Sequence, residues 1–167
     1  INPEAESKII LPNFDLVDAE LTLVGTAPLI CHRWSEKAKR QMLDKQMKRA
    51  TKGKDAKDPE ADYRESLYPH PDGGYGFPSV AFKAAAVRAG TYMDHKMTFL
   101  RGAFHVLGEL VVINGEPTMR EDMVRVSMTS DIRYRGQFTD WTATLPIRFN
   151  AAALSMEQIV ALFHVAG

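Results

Sequence analysis

Tyr75-Gly76-Phe77-Pro78-Ser79-Val80-Ala81-Phe82-Lys83-Ala84-Ala85-Ala86-Val87-Arg88-Ala89-Gly90 is the stretch that decides the fold. It reads as a short strand, a proline, a serine cap and a helix of small residues. The Ser79 hydroxyl is placed to accept an orphan N–H of the first turn. Gly90 is expected to end the helix in the left-handed region. Val80, Ala84 and Val87 fall on one face, with Phe82 and Ala86 beside it and Lys83 and Arg88 pointing elsewhere. Such a helix, entered through the glycine-rich turn Gly73-Gly74-Tyr75-Gly76, suits the floor of an anion-binding groove. It equally suits a core helix whose cations are only solvated.

Working outward, residues 1–17 read as an extended arm, and Ala19-Glu20-Leu21-Thr22-Leu23-Val24 alternates as a first strand. Gly25 permits a bend, and residues 28–32 continue extended. Ser35 caps a helix expected to run to about Thr51, with Gly53 ending it and Ala38, Met42, Leu43 and Met47 as a narrow apolar stripe. Residues 52–63 have no apolar period and read as a loop; 67–74 read as a turn. The segment 33–74 therefore looks like a basic arm inserted in a compact core. Residues 91–101 are ambiguous, with a short helical piece at 94–99.

The remainder is rich in strands: 103–106, 109–113, 123–127, 131–135 and 141–149. Asn114-Gly115 signals a tight turn, and Pro146 implies an edge or a bulge. Asp131, Arg133 and Arg135 share one face of their strand, with Ile132 and Tyr134 on the other. Ser155 and Gln158 form a capping box for a last helix. The order is α+β, one domain over 1–167. A ferredoxin-like or RRM-like antiparallel sheet with two packing helices and a basic helical insertion fits it best.

The 167 residues carry 21 basic and 21 acidic side chains, so overall charge does not announce a polyanionic partner. Its distribution does: from Arg33 to Lys57 there are ten cations against three acids. The one cysteine, Cys31, excludes an internal disulfide framework and fits a reducing compartment. No apolar run long enough to span a bilayer and no signal peptide are visible, so a cytoplasmic protein is expected.

The five histidines have no metal-ligand spacing, and no cofactor is expected. Cys31 and His32 point to opposite faces of an extended segment, which is poor geometry for a nucleophile and base. The glycine-rich turn matches neither a Walker loop nor a dinucleotide fingerprint. The better constellation is cationic and aromatic. Arg33, Trp34, Lys37, Arg40, Lys45, Lys48, Arg49, Lys52 and Lys54 lie in the arm. Ser79, Lys83 and Arg88 lie on the central helix, with Arg101, Arg133 and Arg135 further on. Arginine and lysine neutralise phosphates, while Trp34, Tyr75 and Tyr134 offer rings for bases. Exposed bases favour a single-stranded ligand. The opposing reading makes Trp34 a core anchor and the basic arm a solvated face.

The run Phe77-Pro78-Ser79-Val80-Ala81-Phe82-Lys83-Ala84-Ala85-Ala86-Val87-Arg88 resembles the P-[GS]-S-S-[LI]-[KR]-G-x-[LV]-R helix start of the RAMP superfamily. These are RNA-recognition-motif-like proteins that include the backbone subunits of CRISPR effector complexes. The strand before the motif, the β-rich middle, and Leu145–Phe149 leading into Ser155–Val165 are similar in order. Ala84 stands where the family motif has glycine.

The resemblance implies a non-catalytic antiviral-defence subunit, or a stand-alone phage or bacterial relative. Such a protein binds single-stranded RNA (or DNA), stacks head to tail as a homo-oligomeric filament, and meets other effector subunits through an inserted arm. Lys83 and Arg88 would grip the backbone and Trp34 or Tyr75 would stack. The alternative is a structural self-assembling phage or scaffold subunit that needs no nucleic acid.

Overall fold

A computed structural model describes residues 14–49 and 56–166. In chain order its first half holds β1 (Leu16–Val24), β2 (Leu29–Cys31), α1 (Glu36–Gln46), α2 (Pro59–Ser66), β3 (Tyr68–Pro69), β4 (Tyr75–Pro78) and α3 (Ser79–Ala89). A 3₁₀ turn (Gly90–Met93) leads to α4 (Met97–Ala103), β5 (Phe104–Val106), β6 (Leu110–Ile113), β7 (Pro117–Val126), β8 (Thr129–Phe138), β9 (Thr142–Asn150) and α5 (Met156–Val165).

The core forms on β9. It buries Ala143, Leu145, Ile147 and Phe149 and turns Thr144, Pro146 and Arg148 outward, the period of two that covers one sheet face. β9 lies between β1 and β5, antiparallel to both, so β1 and β5 run parallel to each other with α3 in the connection between them. Phe82, Ala86 and Val87 of α3 and Ile159, Leu162 and Phe163 of α5 join the buried face of β9 in one cluster. Each fully buried Leu or Ile there contributes about 1.5–3 kcal/mol. On the other face Arg148 makes two 2.7 Å bonds to Asp18, and Thr22 lies 3.2 Å from Thr144. The outer edge of β1 meets no strand among the described residues.

The architecture is α+β, with three small antiparallel sheets and five α-helices among the described residues. The sequence led us to expect one sheet and two packing helices. The difference arises because several strands pair far along the chain rather than with the next strand. β6 turns from β5 to β4 and completes β3-β4-β6, while the long β7–β8 hairpin takes β2 as its third strand. Reciprocal bonds between Asn114 and Thr142, 2.9 and 3.0 Å, tie β6 to β9.

Several local expectations need correction. Ser79 does not cap α3: Pro78 holds that position, and the Ser79 hydroxyl donates to the Gly108 carbonyl instead. Gly90 is right-handed (φ −56°), and the left-handed residue is Asp94. Gly90 is small for another reason, since a Cβ there would lie 2.1 Å from Leu100 Cδ1. The buried residues of α3 are Ser79, Phe82, Ala86, Val87 and Ala89, which leaves Val80 and Ala84 facing out.

Ser35 does cap α1, accepting Ala38 N–H at 3.2 Å, but the helix stops at Gln46 because Lys48 turns left-handed. Part of the expected loop is α2. Asp58 accepts Ala61 N–H at 3.1 Å and Pro59 occupies the first turn, where its missing N–H is harmless. Asn114-Gly115 closes no hairpin; Gly115 brings the backbone against Asp140, whose oxygen would be 2.5 Å from a Cβ. Pro146 sits in a central strand. Its carbonyl accepts Leu107 N–H, so its absent N–H faces the side where β5 has already ended at Val106. The capping box of α5 is present.

Candidate nucleic-acid interface

α3 and α4 diverge around a depression of about 730 Å³ whose walls include Lys83, Arg88 and Arg101. No carboxylate lines it. Lys83 reaches back to the Arg101 carbonyl at 2.8 Å and to His105 Nδ1 at 2.9 Å. Burial holds the Lys83 ammonium below the usual lysine range; burial first, then the Lys83 charge, lowers His105. Neutral His105 is thus the acceptor of this bond. The Arg88 and Arg101 guanidinium groups have no ion-pair partner among the described residues. Beside the cations stand exposed Val80, Tyr92 and Met97.

A second depression, about 460 Å³, opens where the chain leaves β2. β2 pairs with β8 only as far as Cys31↔Gly136, so His32, Arg33 and Trp34 swing away from the β8 edge. The gap is walled by Trp34, Lys57, Arg133 and Tyr134 and by α2. Arg133 Nη1 is 3.4 Å from His32 Nε2. Burial, and then Arg135 and Arg133, push His32 below its ordinary value. Trp34 is 54 % exposed and is no core anchor. Here the charge is balanced, because Asp62, Glu65 and Asp131 share the walls and Asp131 pairs with both Lys57 and Arg133.

A third depression of about 430 Å³ lies between them at the start of α3. Arg33 lines both it and the second; Val80 lines both it and the first. The three adjoin through these two residues, a track on which Glu109 also stands. Arg33 Nε is buried there without a partner, and the N-terminus of α3, with no side-chain cap, adds its partial positive charge.

The track gathers Arg33, Trp34, Lys83, Arg88 and Arg133 as the sequence suggested. Ser79 lies beneath it, 2 % exposed, with its hydroxyl already engaged. Tyr75 packs edge-on against Phe138, 6.0 Å between centroids, and lines none of the three depressions. Arg135 is held by Asp122 at 3.4 Å on the hairpin. Lys37, Arg40, Lys45, Lys48 and Arg49 stand on or just after α1, which buries none of its residues; Arg49 pairs with Asp44 at 3.5 Å. Lys52 and Lys54 lie outside the described residues. Sequence reasoning missed Tyr92, whose only signal was a large ring in a polar segment without period.

No metal-binding group of three or more histidine, cysteine or acidic side chains occurs among the described residues, and no helix among them is long and apolar enough to cross a membrane. Comparison with known proteins returned no match, whether to a family, to a curated protein or to a solved structure.

Proposed function

We propose that this chain is a non-catalytic protein that binds single-stranded nucleic acid, RNA foremost, and oligomerises along it in the manner of a RAMP-like subunit. The observation that carries this reading is the run of adjoining depressions from Trp34 and Arg33, past the start of α3, to the carboxylate-free depression of Lys83, Arg88 and Arg101. Cations spaced along a groove follow a phosphate backbone, and rings beside them accept unstacked bases. The strand arrangement is a secondary support. β1 and β5 flanking an antiparallel β9, with α3 between them and α5 after, is how the first five elements of a ferredoxin-like βαββαβ unit are ordered. Fold analogy alone would not carry function.

The test is binding of fluorescent single-stranded RNA and DNA across a salt series, with wild type and Arg88→Glu/Arg101→Glu. Tight binding that falls with salt is expected. Loss of two phosphate contacts should lower the log–log salt slope by about 1.4. Absence of binding to either strand at low salt defeats the reading.

A second reading is favoured by α1. Its stripe Met42, Leu43 and Met47 is about half exposed (50, 51 and 52 %), a face suited to another protein. In that reading the chain self-assembles without nucleic acid. Assemblies that survive nuclease treatment and show no excess absorbance at 260 nm would favour it.

A further inference from the structure

The depression between α3 and α4 exposes a ring where the chain had no structural need of one. Tyr92 is 83 % exposed and has neither a hydrogen-bond nor a ring partner among the described residues. Its backbone is nevertheless firmly placed. Gly90 is pressed under Leu100, the Gly90 carbonyl accepts His95 N–H at 2.9 Å, and Thr91 Oγ1 donates to the Arg88 carbonyl at 2.9 Å. Asp94, left-handed, then turns the chain toward α4. Across the same hollow Val80 is 71 % exposed, and Arg88 and Arg101 carry unpaired charge.

An exposed aromatic ring on a hydrogen-bonded turn, an apolar wall and free guanidinium groups match a ligand that is flat and apolar on one side and anionic on the other. A nucleotide unit has that division. We propose that this depression is a nucleotide pocket in which Tyr92 stacks on one base while Arg88 and Arg101 hold the adjoining phosphates. The inference rests on the nucleic-acid-binding reading and adds a base-contacting residue to it. Lys83 is a positioning group in this pocket, since its ammonium is already spent on Arg101 and His105.

The experiment compares a uridine homopolymer with an abasic strand of equal phosphate number, by fluorescence anisotropy at one fixed salt. Wild type should prefer the base-bearing strand. Tyr92→Ala should weaken uridine binding about tenfold and leave the abasic strand unchanged, while Tyr92→Phe keeps the wild-type preference. Arg88→Ala and Arg101→Ala should weaken both strands alike. If Tyr92→Ala keeps the full preference for bases while the arginine variants lose affinity, the stacking assignment is overturned and the broader reading stands. If wild type binds neither strand, both fall together. Tyr92 is a surface residue, so these variants are expected to fold, and matching circular dichroism spectra check it.

Discussion

The Lys83 ammonium lies 2.9 Å from Nδ1 of His105 and 2.8 Å from the carbonyl of Arg101. A lysine on α3 is thereby fastened to the junction of α4 and β5, and a neutral imidazole is one of the two fasteners. Protonating His105 turns its acceptor nitrogen into a donor and sets two positive charges side by side.

The folded pKa values of both His105 and His32 lie below the ordinary 6.5. The unfolded chain therefore binds more protons, and the stability contributed by the neutral forms is full above pH 6.5 and lost as pH falls through the folded values. Thermal midpoints should hold from pH 7.5 to 6.5 and decline from there to 5, and His105→Gln with His32→Gln should flatten that decline. Asp18 and Asp131, lowered from 3.8, act only in stronger acid. As pH falls below 6.5, nucleic-acid affinity should rise, because protonated His105 adds charge beside the pocket. An affinity that falls with stability would contradict this.

Ser66→Ala should destabilise the fold by about 1–3 kcal/mol, measured by urea unfolding. The Ser66 hydroxyl accepts the buried Gly136 N–H at 2.8 Å and donates to the Tyr63 carbonyl at 2.6 Å. Its loss leaves the Gly136 donor unpaired. Ser66→Thr tests whether the hydroxyl alone suffices.

Gly136→Ala should cost about 1–3 kcal/mol by overpacking, since the new Cβ would sit 2.2 Å from Leu67 Cδ2. Leu67 is 2 % exposed and has little room to retreat. A thermal midpoint equal to wild type would show that the Leu67 side chain yields to the new methyl group.

Charge reversal on α1 should weaken nucleic-acid binding less than reversal at Arg88 and Arg101. Arg40→Glu/Lys45→Glu changes side chains of α1 that line none of the three depressions, whereas the arginines wall a depression without acids. Salt-series anisotropy ranks the two pairs; a larger effect from α1 would move the phosphate path onto the arm.

Replacing Met42, Leu43 and Met47 by Gln should leave stability within about 0.5 kcal/mol per site, because none is buried. Sedimentation across a concentration series then reads the face itself. Lost self-association locates the contact between copies on α1, and unchanged behaviour removes α1 from it.

The alternating strands and the capped helices were legible because each rests on a local rule. Ser35, and Ser155 with Gln158, cap as their spacing says, and β9 alternates through its whole length. What was not legible depends on partners far along the chain. Nothing near Ser79 announces that Gly108, 29 residues away, would claim its hydroxyl. The pairing of β6 with β4 rather than β5 is likewise a long-range choice. For the site, arginines and lysines could be counted but their neutralisation could not. Arg33 and Lys57 of the cation-rich arm share a depression with Asp62, Glu65 and Asp131, while the sparser set on α3 and α4 meets no acid in its own.

The nine-residue edge of β1 gives the molecule a colloidal character as well as a shape. A strand edge unpaired among the described residues is a template for any extended chain, and its safeguards here are the carboxylates of Asp18 and Glu20 on the open face. Acid that discharges them also frees Arg148 from Asp18. Precipitation in strong acid should therefore yield growing sheet rather than amorphous material, with thioflavin fluorescence rising as the solution clouds.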